Sequence, residues 1–250
     1  MAPRVAFVTG ASGGIGRALA LRMAQDGVHV ALAARRLPAL REVTEEIAAA
    51  GGTARAYALD VRDPNAVAAR VAEAEADLGP LDLVVANAGV AKGRWSGKLT
   101  FADCENTLDV NVRGAVATLL APLPGMLARG RGRLVGISSI SAYRGLPKFA
   151  AYSASKAFLS AFLEVLRVDL ARTGVRVSDI RPGYVRTGMT GRARPPLIMS
   201  ADAAAHRIWR AIERGRSVYA FPYPMAATMR TLRRLPAPIY DRVAARLLPG

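Results

Sequence analysis

The chain has 250 residues, 52% of them hydrophobic, and its 35 basic residues against 19 acidic ones give a formal net charge of +16. This length supports one domain around a single core. The single cysteine, Cys104, excludes an intrachain disulfide and fits a reducing compartment. No uninterrupted apolar stretch reaches the roughly 18 residues of a membrane span, and the first strand begins almost at once, so we expect a soluble cytoplasmic protein without a cleavable signal peptide.

Apolar, strand-length runs alternate with helical stretches along the whole chain. The runs cover 4–9, 28–34, 54–59, 81–86, 133–138, 175–180 and 217–221. This alternation is typical of an α/β fold. We predict a Rossmann-like, doubly wound parallel sheet with helices on both faces, as a single domain over 1–250.

The first run, RVAFVTG (4–10), ends in a glycine-rich turn, ASGGIG (11–16), that leads into a predicted helix. Gly10, Gly14 and Gly16 lie where the backbone must turn sharply and where a pyrophosphate can approach the helix N-terminus. The free amides and the dipole of that terminus favour anions. The turn therefore predicts a dinucleotide phosphate site.

Tyr152 and Lys156, in YSASK (152–156), lie four residues apart in a predicted helix and share one helix face. At about 5 Å and an effective dielectric of about 20, the lysine charge favours the phenolate by about 3 kcal/mol, or about two pKa units. The pair predicts a tyrosine that serves as general acid and base near pH 7.

Further motifs follow in a fixed order: LDV (59–61), ANAG (86–89), DVNVRG (109–114), GISSIS (136–141) and PGYVRT (182–187). Together with TGASGGIG (9–16) and YSASK, they resemble the short-chain dehydrogenase/reductase family over at least residues 4–188. The resemblance implies an oxidoreductase that interconverts a ketone or aldehyde and an alcohol by hydride transfer.

The resemblance also implies roles for four residues. Tyr152 would donate a proton to the developing alkoxide, and Ser139 would hydrogen-bond the same oxygen. Lys156 would hold the ribose hydroxyls of the cofactor and bias Tyr152. Asn111 would bend its helix and anchor a water that links Lys156 to solvent.

The cofactor is expected to be NADP(H), with NAD(H) as the less favoured alternative. NAD-binding relatives carry an acidic residue where this chain has Ala34, and Arg35 and Arg36 follow directly. A guanidinium binds a 2′-phosphate with paired hydrogen bonds of about 1.5–3 kcal/mol each. Gly13 argues the other way, because many NADP-binding relatives have a basic residue in the glycine loop. The expected cofactor contacts are Gly10, Ser12, Gly13, Gly14, Ile15, Gly16, Arg35, Arg36, Asp60, Val61, Asn87, Ala88, Gly89, Tyr152, Lys156, Pro182, Gly183, Val185 and Thr187.

Substrate walls are expected from 91–99, 140–149 and 184–200, since ligands in this fold bind beyond the carboxyl ends of the strands. These segments are mostly apolar, which predicts a medium to large apolar ketone, aldehyde or secondary alcohol. Segment 184–200, with glycines and paired prolines, is expected to form a mobile lid. The candidate substrate contacts are Ser139, Tyr143, Leu146, Phe149, Tyr184 and Met189, and we expect no metal site.

The C-terminal extension, about 224–250, is typical of two short basic amphipathic helices separated by Pro236 and Pro238. Two interpretations remain open: the helices pack against the sheet or a neighbouring subunit, or they form a lid with weak membrane-surface contact. Nucleic-acid binding is not expected, because the charge comes without a recognition motif.

Two other functions remain open beside the reductase. Relatives with the same tyrosine and lysine include lyases and epimerases that recycle the cofactor, and the chain could also be a non-catalytic NADP-binding sensor. The resemblance further implies a homodimer or homotetramer formed through helices near 101–128 and 152–172.

Overall fold

The computed structural model describes residues 4–191, 195 and 197–246. Its centre is a seven-stranded sheet in the order β3-β2-β1-β4-β5-β6-β7, and all neighbouring strands are parallel. This confirms the predicted Rossmann-like sheet. The strands are β1 (Val5–Thr9), β2 (His29–Ala34), β3 (Ala54–Ala58), β4 (Leu83–Ala86), β5 (Gly132–Ile137), β6 (Val175–Pro182) and β7 (Val218–Phe221).

The strand order reverses at β1, which pairs with β2 on one side and β4 on the other. Val8 lies opposite Leu32 of β2 and Val85 of β4. Loops leaving the carboxyl ends of β1 and β4 therefore diverge to opposite faces of the sheet. The crevice between them is where this class of fold binds ligands.

Helices cover both faces of the sheet, as predicted. They are α1 (Gly14–Gln25), α2 (Leu37–Ala49), α3 (Pro64–Leu78), α4 (Phe101–Leu108), α5 (Gly114–Leu120), α6 (Leu123–Ala128), α7 (Ala150–Asp169), α8 (Ala201–Glu213), α9 (Tyr223–Arg234) and α10 (Ala237–Ala245). Successive side chains of a strand point to opposite faces. In β1, Ala6 and Val8 accordingly join the core with α1, α2 and α8, whereas Val5 and Phe7 join the core with α3, α5 and α7.

The helical stretch Phe101–Ala128 differs from the sequence prediction. By length and composition alone it could cross a membrane. Isolated charges such as Asp109 and Arg113 interrupt the apolar run, but the stretch remains apolar on average. Val110, Leu119 and Met126 are buried in the core beside the sheet. In this fold the stretch comprises α4, a π-helical segment at Asp109–Arg113, α5 and α6, and one side of it packs beside the sheet.

The C-terminal extension forms two helices, α9 and α10, and Pro236 caps the second, as predicted. Ala226 and Met229 of α9 are buried in a small core with Ile140 and Tyr143. The apolar face of α9 thus packs onto the protein, which favours the first of the two interpretations. The predicted lid and extension reach into residues 192–194, 196 and 247–250, which lie outside the described residues.

Candidate active site

The glycine turn connects β1 to α1 and forms the floor of a cradle. Gly10 and Gly14 have φ values of +69° and +54°, which favour glycine. A Cβ on Gly10 would lie 2.9 Å from the Ala88 Cα, and one on Gly16 would lie 2.4 Å from the Gly10 carbonyl oxygen. Gly13 occupies the capping position just before α1 and provides no side-chain hydrogen bond to it. The first amides of α1 are therefore without a side-chain partner, as an anion site requires.

A hydroxyl of the first strand joins this turn to β4. The Thr9 Oγ1 accepts hydrogen bonds from the backbone amides of Asn87 and Ala88, both at 3.2 Å. The Asn87 side chain donates to the Thr9 carbonyl at 2.9 Å. These bonds hold the two strand ends together at the crevice.

A cavity of about 920 Å³ opens above this cradle. It is lined by the predicted residues Gly10, Ser12, Gly13, Gly14, Ile15, Arg35, Arg36, Asp60, Val61, Asn87, Ala88, Gly89, Ser139, Leu146, Phe149, Tyr152, Lys156, Pro182, Gly183, Tyr184, Val185, Thr187 and Met189. One continuous cavity therefore contains both the expected cofactor contacts and the expected substrate wall.

Three predicted residues do not line this cavity. Gly16 lies beneath the glycine turn, where its missing Cβ allows α1 to pack closely. Asn111 is fully buried behind Gly89. Tyr143 departs from the expected substrate wall, because its side chain is buried under α9 and does not line the cavity.

Ser139, Tyr152 and Lys156 meet at one end of the cavity. The Ser139 and Tyr152 side chains both line this end. The Lys156 ammonium donates to the Ile137 carbonyl at 2.8 Å and lies 5.8 Å from the centre of the Tyr152 ring. Phe149 packs edge-on against Tyr152, with ring centroids 6.3 Å apart. Two hydroxyls and an ammonium thus face an apolar wall.

A protein-family model described as short chain dehydrogenase matches residues 4–197 of this chain. The chain belongs to the short-chain dehydrogenase family. It is an oxidoreductase of this family, and the recognition from its motifs is confirmed. An uncharacterised oxidoreductase of Myxococcus xanthus is 46% identical over 99% of this chain and 98% of that protein. A putative ketoacyl reductase of Streptomyces coelicolor is 35% identical over 86% of this chain and 84% of that protein.

Solved structures of the family agree in fold. A short-chain dehydrogenase/reductase of Burkholderia phymatum in complex with NAD has a TM-score of 0.84 and 26% identity, over 91% of this chain and 92% of its own. The alcohol dehydrogenase of Thermococcus sibiricus complexed with 5-hydroxy-NADP has a TM-score of 0.80 and 27% identity, over 87% and 94%. Family members bind either dinucleotide, so the likeness leaves the choice between them open.

The pKa of the tyrosine in this short-chain dehydrogenase departs from the sequence prediction. Burial raises the pKa of Tyr152 and Tyr184 raises it further, whereas interaction with the Ser139 side chain lowers it. Burial also lowers the pKa of Lys156 to about 8, although Asp179 opposes the change. The expected stabilisation of the phenolate by Lys156 therefore does not dominate, since loss of hydration outweighs attraction between two buried groups.

Asn111 lies in the π-helical segment between α4 and α5, where the chain departs from regular α-helical geometry. Its side-chain oxygen accepts from the Val90 amide at 2.8 Å, and its nitrogen donates to the Val90 carbonyl at 2.9 Å and to Ser155 Oγ at 3.0 Å. The side chain thereby joins the loop after β4 to α7. It does not line the cavity.

Sequence reasoning missed Arg62 at the adenosine end of the site. Its guanidinium donates to both carboxylate oxygens of Asp60, at 2.6–3.1 Å. These bonds lower the pKa of Asp60, and Arg35 adds to the effect. Arg36 reaches back over the glycine turn and donates to the Ser12 carbonyl at 3.2 Å. Because Arg62 lies only two residues after Asp60, the sequence alone could have indicated this ion pair.

Sequence reasoning also missed a buried ion pair, Asp179 and Arg181, in the interior near Lys156. Asp179 accepts a hydrogen bond from Arg181 Nε at 2.7 Å and a further one from the Ser138 hydroxyl, and a second guanidinium nitrogen of Arg181 forms an ion pair with it at 2.7 Å. The Arg181 guanidinium lies 4.5 Å over the Tyr143 ring. This pair places a carboxylate in the same interior as Lys156. Asp179 and Arg181 lie two residues apart on β6, whereas Ser138 follows the end of β5 and is 41 residues from Asp179, so the contact with Ser138 had no local signal.

Proposed function

We propose that this short-chain dehydrogenase is an NADP(H)-dependent carbonyl reductase that interconverts a medium to large apolar ketone or aldehyde and its alcohol. The observation that carries the proposal is the convergence of Ser139, Tyr152 and Lys156 on the apolar end of one cavity. Two adjacent hydroxyls can hydrogen-bond one carbonyl oxygen and stabilise the negative charge that develops on it. Leu146, Phe149 and Met189 would contact the apolar body of the substrate.

Tyr152 is the proton donor in this proposal. Because burial raises its pKa, the phenol keeps its proton at neutral pH and can transfer it to an alkoxide held in the cavity. Ser139 hydrogen-bonds the same oxygen. Lys156, with a pKa of about 8, is mostly charged at pH 7 and attracts the phenolate left after transfer. When bound, the nicotinamide dinucleotide supplies the hydride for reduction or accepts it in oxidation.

The described residues fit such a dinucleotide. A Cβ on Gly89 would lie 3.4 Å from Asn111 Oδ1 and 3.5 Å from Lys156 Nζ, so glycine keeps the passage beside the lysine open. The uncapped start of α1 at Gly13 would hold the phosphates. Lys156 would hold a ribose.

Arginines at the adenosine end support the choice of NADP(H). Ala34 lines the cavity where an acidic residue would favour NAD(H), and Arg35 and Arg36 lie beside it. Arg62 neutralises Asp60, the carboxylate on this wall. A 2′-phosphate therefore meets net positive charge, and each charged hydrogen bond contributes about 1.5–3 kcal/mol.

The cofactor choice is tested by binding, without turnover. Adenosine 2′,5′-bisphosphate should bind at least about tenfold more tightly than AMP in calorimetric titrations, since one charged hydrogen bond accounts for that ratio. Arg35→Gln with Arg36→Gln should remove the preference. Arg41→Gln, on the exposed side of α2, is the matched control. Equal affinity for the two nucleotides would overturn the NADP assignment.

The reaction is tested by NADPH and NADH consumption against graded apolar ketones and aldehydes, with Tyr152→Phe as control. We expect NADPH-dependent reduction that falls at least a hundredfold in the variant, on the order of the contribution of one general acid. Turnover restricted to small charged carbonyls would contradict the substrate class. Binding without any turnover would favour the sensor, and conversion without net NADPH oxidation would favour a lyase or epimerase.

We also propose a homodimer or homotetramer that uses α4, α5 and α7. These helices expose apolar side chains to solvent, and Phe158 stacks on Phe162 at 6.0 Å. The exposed residues are Leu108, Leu120, Phe158, Val165 and Val168. Sedimentation velocity should give an oligomer that dissociates in Phe158→Glu, and a monomeric unmodified protein would contradict the proposal.

A further inference from the structure

Residues 143–149 lie between Ser139 and Tyr152 in the chain, and we name this segment the substrate loop. A 3-10 turn ends at Ala142 before it and α7 begins at Ala150 after it. The loop itself has no helix or strand to hold it. Its residues Leu146 and Phe149 nevertheless line the apolar end of the cavity. Contacts with other parts of the fold must therefore set its position.

Three successive residues of the substrate loop are held by α9 and α10. The Arg230 Nε of α9 donates to the Tyr143 hydroxyl at 3.2 Å. The Arg144 guanidinium lies 4.2 Å over the ring of Tyr240 in α10. The Tyr240 hydroxyl donates to the Gly145 carbonyl. One end of the loop is thus attached to the C-terminal helices through both side chains and backbone.

Apolar packing reinforces these polar contacts. Tyr143, Ala226 and Met229 are buried together, and the partly buried Leu146 packs against the same cluster. Leu146 also lines the cavity. A shift of α9 would therefore move a side chain that a substrate would touch.

Tyr143 is held from two directions. The guanidinium of Arg181, on β6, lies 4.5 Å from the ring centroid, and that of Arg230 lies 5.7 Å from it. Cations over an aromatic face are attracted to it, more strongly where water is excluded. The Arg181 contact belongs to the sheet and does not depend on the extension. The Arg230 contact is the one that couples the loop to α9.

We propose that α9 and α10 set the width of the apolar end of the cavity by holding the substrate loop, with Arg230 and Tyr240 as positioning residues for substrate choice. The inference rests on the proposed reductase function, because it concerns the wall that an apolar carbonyl substrate would contact. It gives the C-terminal extension a role in specificity.

The loop contact is tested first without substrate, by hydrogen–deuterium exchange of the full-length protein. The double variant Arg230→Gln, Tyr240→Phe removes two hydrogen bonds. We expect amides at 143–149 to exchange about tenfold faster, the factor that corresponds to about one net hydrogen bond. The matched control is Arg234→Gln, Tyr223→Phe, which changes exposed residues of α9. Unchanged exchange in the loop, or the same acceleration in the control, would overturn the inference.

Substrate choice is tested next with graded ketones. In the double variant we expect KM for bulky apolar ketones to rise about fivefold with kcat within about twofold, since the loop contributes binding rather than chemistry. NADPH affinity, followed by fluorescence, should not change. Parallel loss of kcat on all substrates would contradict a positioning role. Absence of turnover in the unmodified protein would refute the proposed function, whereas the exchange result decides separately whether the extension holds the loop.

Discussion

Replacement of Lys156 by methionine should stabilise the folded protein at pH 7 while removing a group from the active site. Lys156 is 4% exposed. Burial lowers its pKa from 10.5 to about 8, against the attraction of Asp179. Below pH 8 the lysine is charged in both the folded and the unfolded chain. The folded protein therefore carries the whole cost of burying that charge.

The magnitude follows from the lowered pKa. Each unit of pKa corresponds to about 1.4 kcal/mol, so the burial of the charged Lys156 costs roughly 3 kcal/mol at pH 7. Between about pH 8 and 10.5 the folded chain loses the proton before the unfolded chain does, and the cost disappears. Methionine has no charge, but it removes the donor to the Ile137 carbonyl, at about 1–2 kcal/mol. We expect a net gain of about 1–2 kcal/mol at pH 7.

The assay is urea unfolding of the unmodified protein and of Lys156→Met, followed by circular dichroism at intervals from pH 7 to 10.5. The free energy of unfolding of the variant should be the higher one at pH 7 and the lower one at pH 10.5. Lys98→Met, which replaces an exposed lysine, should show no such crossing. A difference between the two proteins that stays constant across this range would refute the reasoning, because only the titration of a buried lysine produces the slope.

Three further substitutions test the fold around the site. Gly16→Ala should destabilise by about 1–3 kcal/mol, because its Cβ would lie 2.4 Å from a carbonyl oxygen, whereas Gly188→Ala, whose Cβ meets nothing within 4 Å, should leave Tm unchanged; equal Tm values would contradict this. Arg181→Met leaves a buried carboxylate without its partner and should lower the free energy of urea unfolding by about 3–5 kcal/mol; a loss below about 1 kcal/mol would sink the argument. Asp26→Asn should be less stable than the unmodified protein at pH 7, because the hydrogen bond from Arg22 lowers the pKa of Asp26. The stability that the Asp26 carboxylate contributes is lost as the pH falls through that lowered pKa, so the two proteins should converge in acid. Thermal melts at pH 7 and in acid measure this, and a difference in Tm that persists in acid would contradict it.

The cradle and the catalytic helix could be predicted because their geometry is local. The turn after β1 requires positive φ at Gly10 and Gly14, a conformation that favours glycine and depends only on the few residues of the turn. The four-residue spacing of Tyr152 and Lys156 places both on one face of α7. The alternation of apolar runs with helices likewise follows from short-range periodicity, and each predicted strand lies within two residues of the observed one at either end.

The errors concern residues whose surroundings come from distant parts of the chain. Tyr143 was predicted to face the substrate, but α9, about 85 residues later, covers it. The predicted lowering of the pKa of Tyr152 considered one neighbouring charge and could not include burial. Arg62 lay within reach of sequence reasoning, since its partner is two residues away.

The sequence by itself therefore determined the family, the sheet and most residues of the candidate site, because helix and strand periodicity, glycine conformations and motif spacing all act over a few residues. Only the tertiary structure decided the protonation preferences of Tyr152 and Lys156 and the attachment of the substrate loop to α9 and α10. Those properties depend on how much water each group loses and on which side chains meet across the fold. Neither quantity is set until segments far apart in the chain have packed.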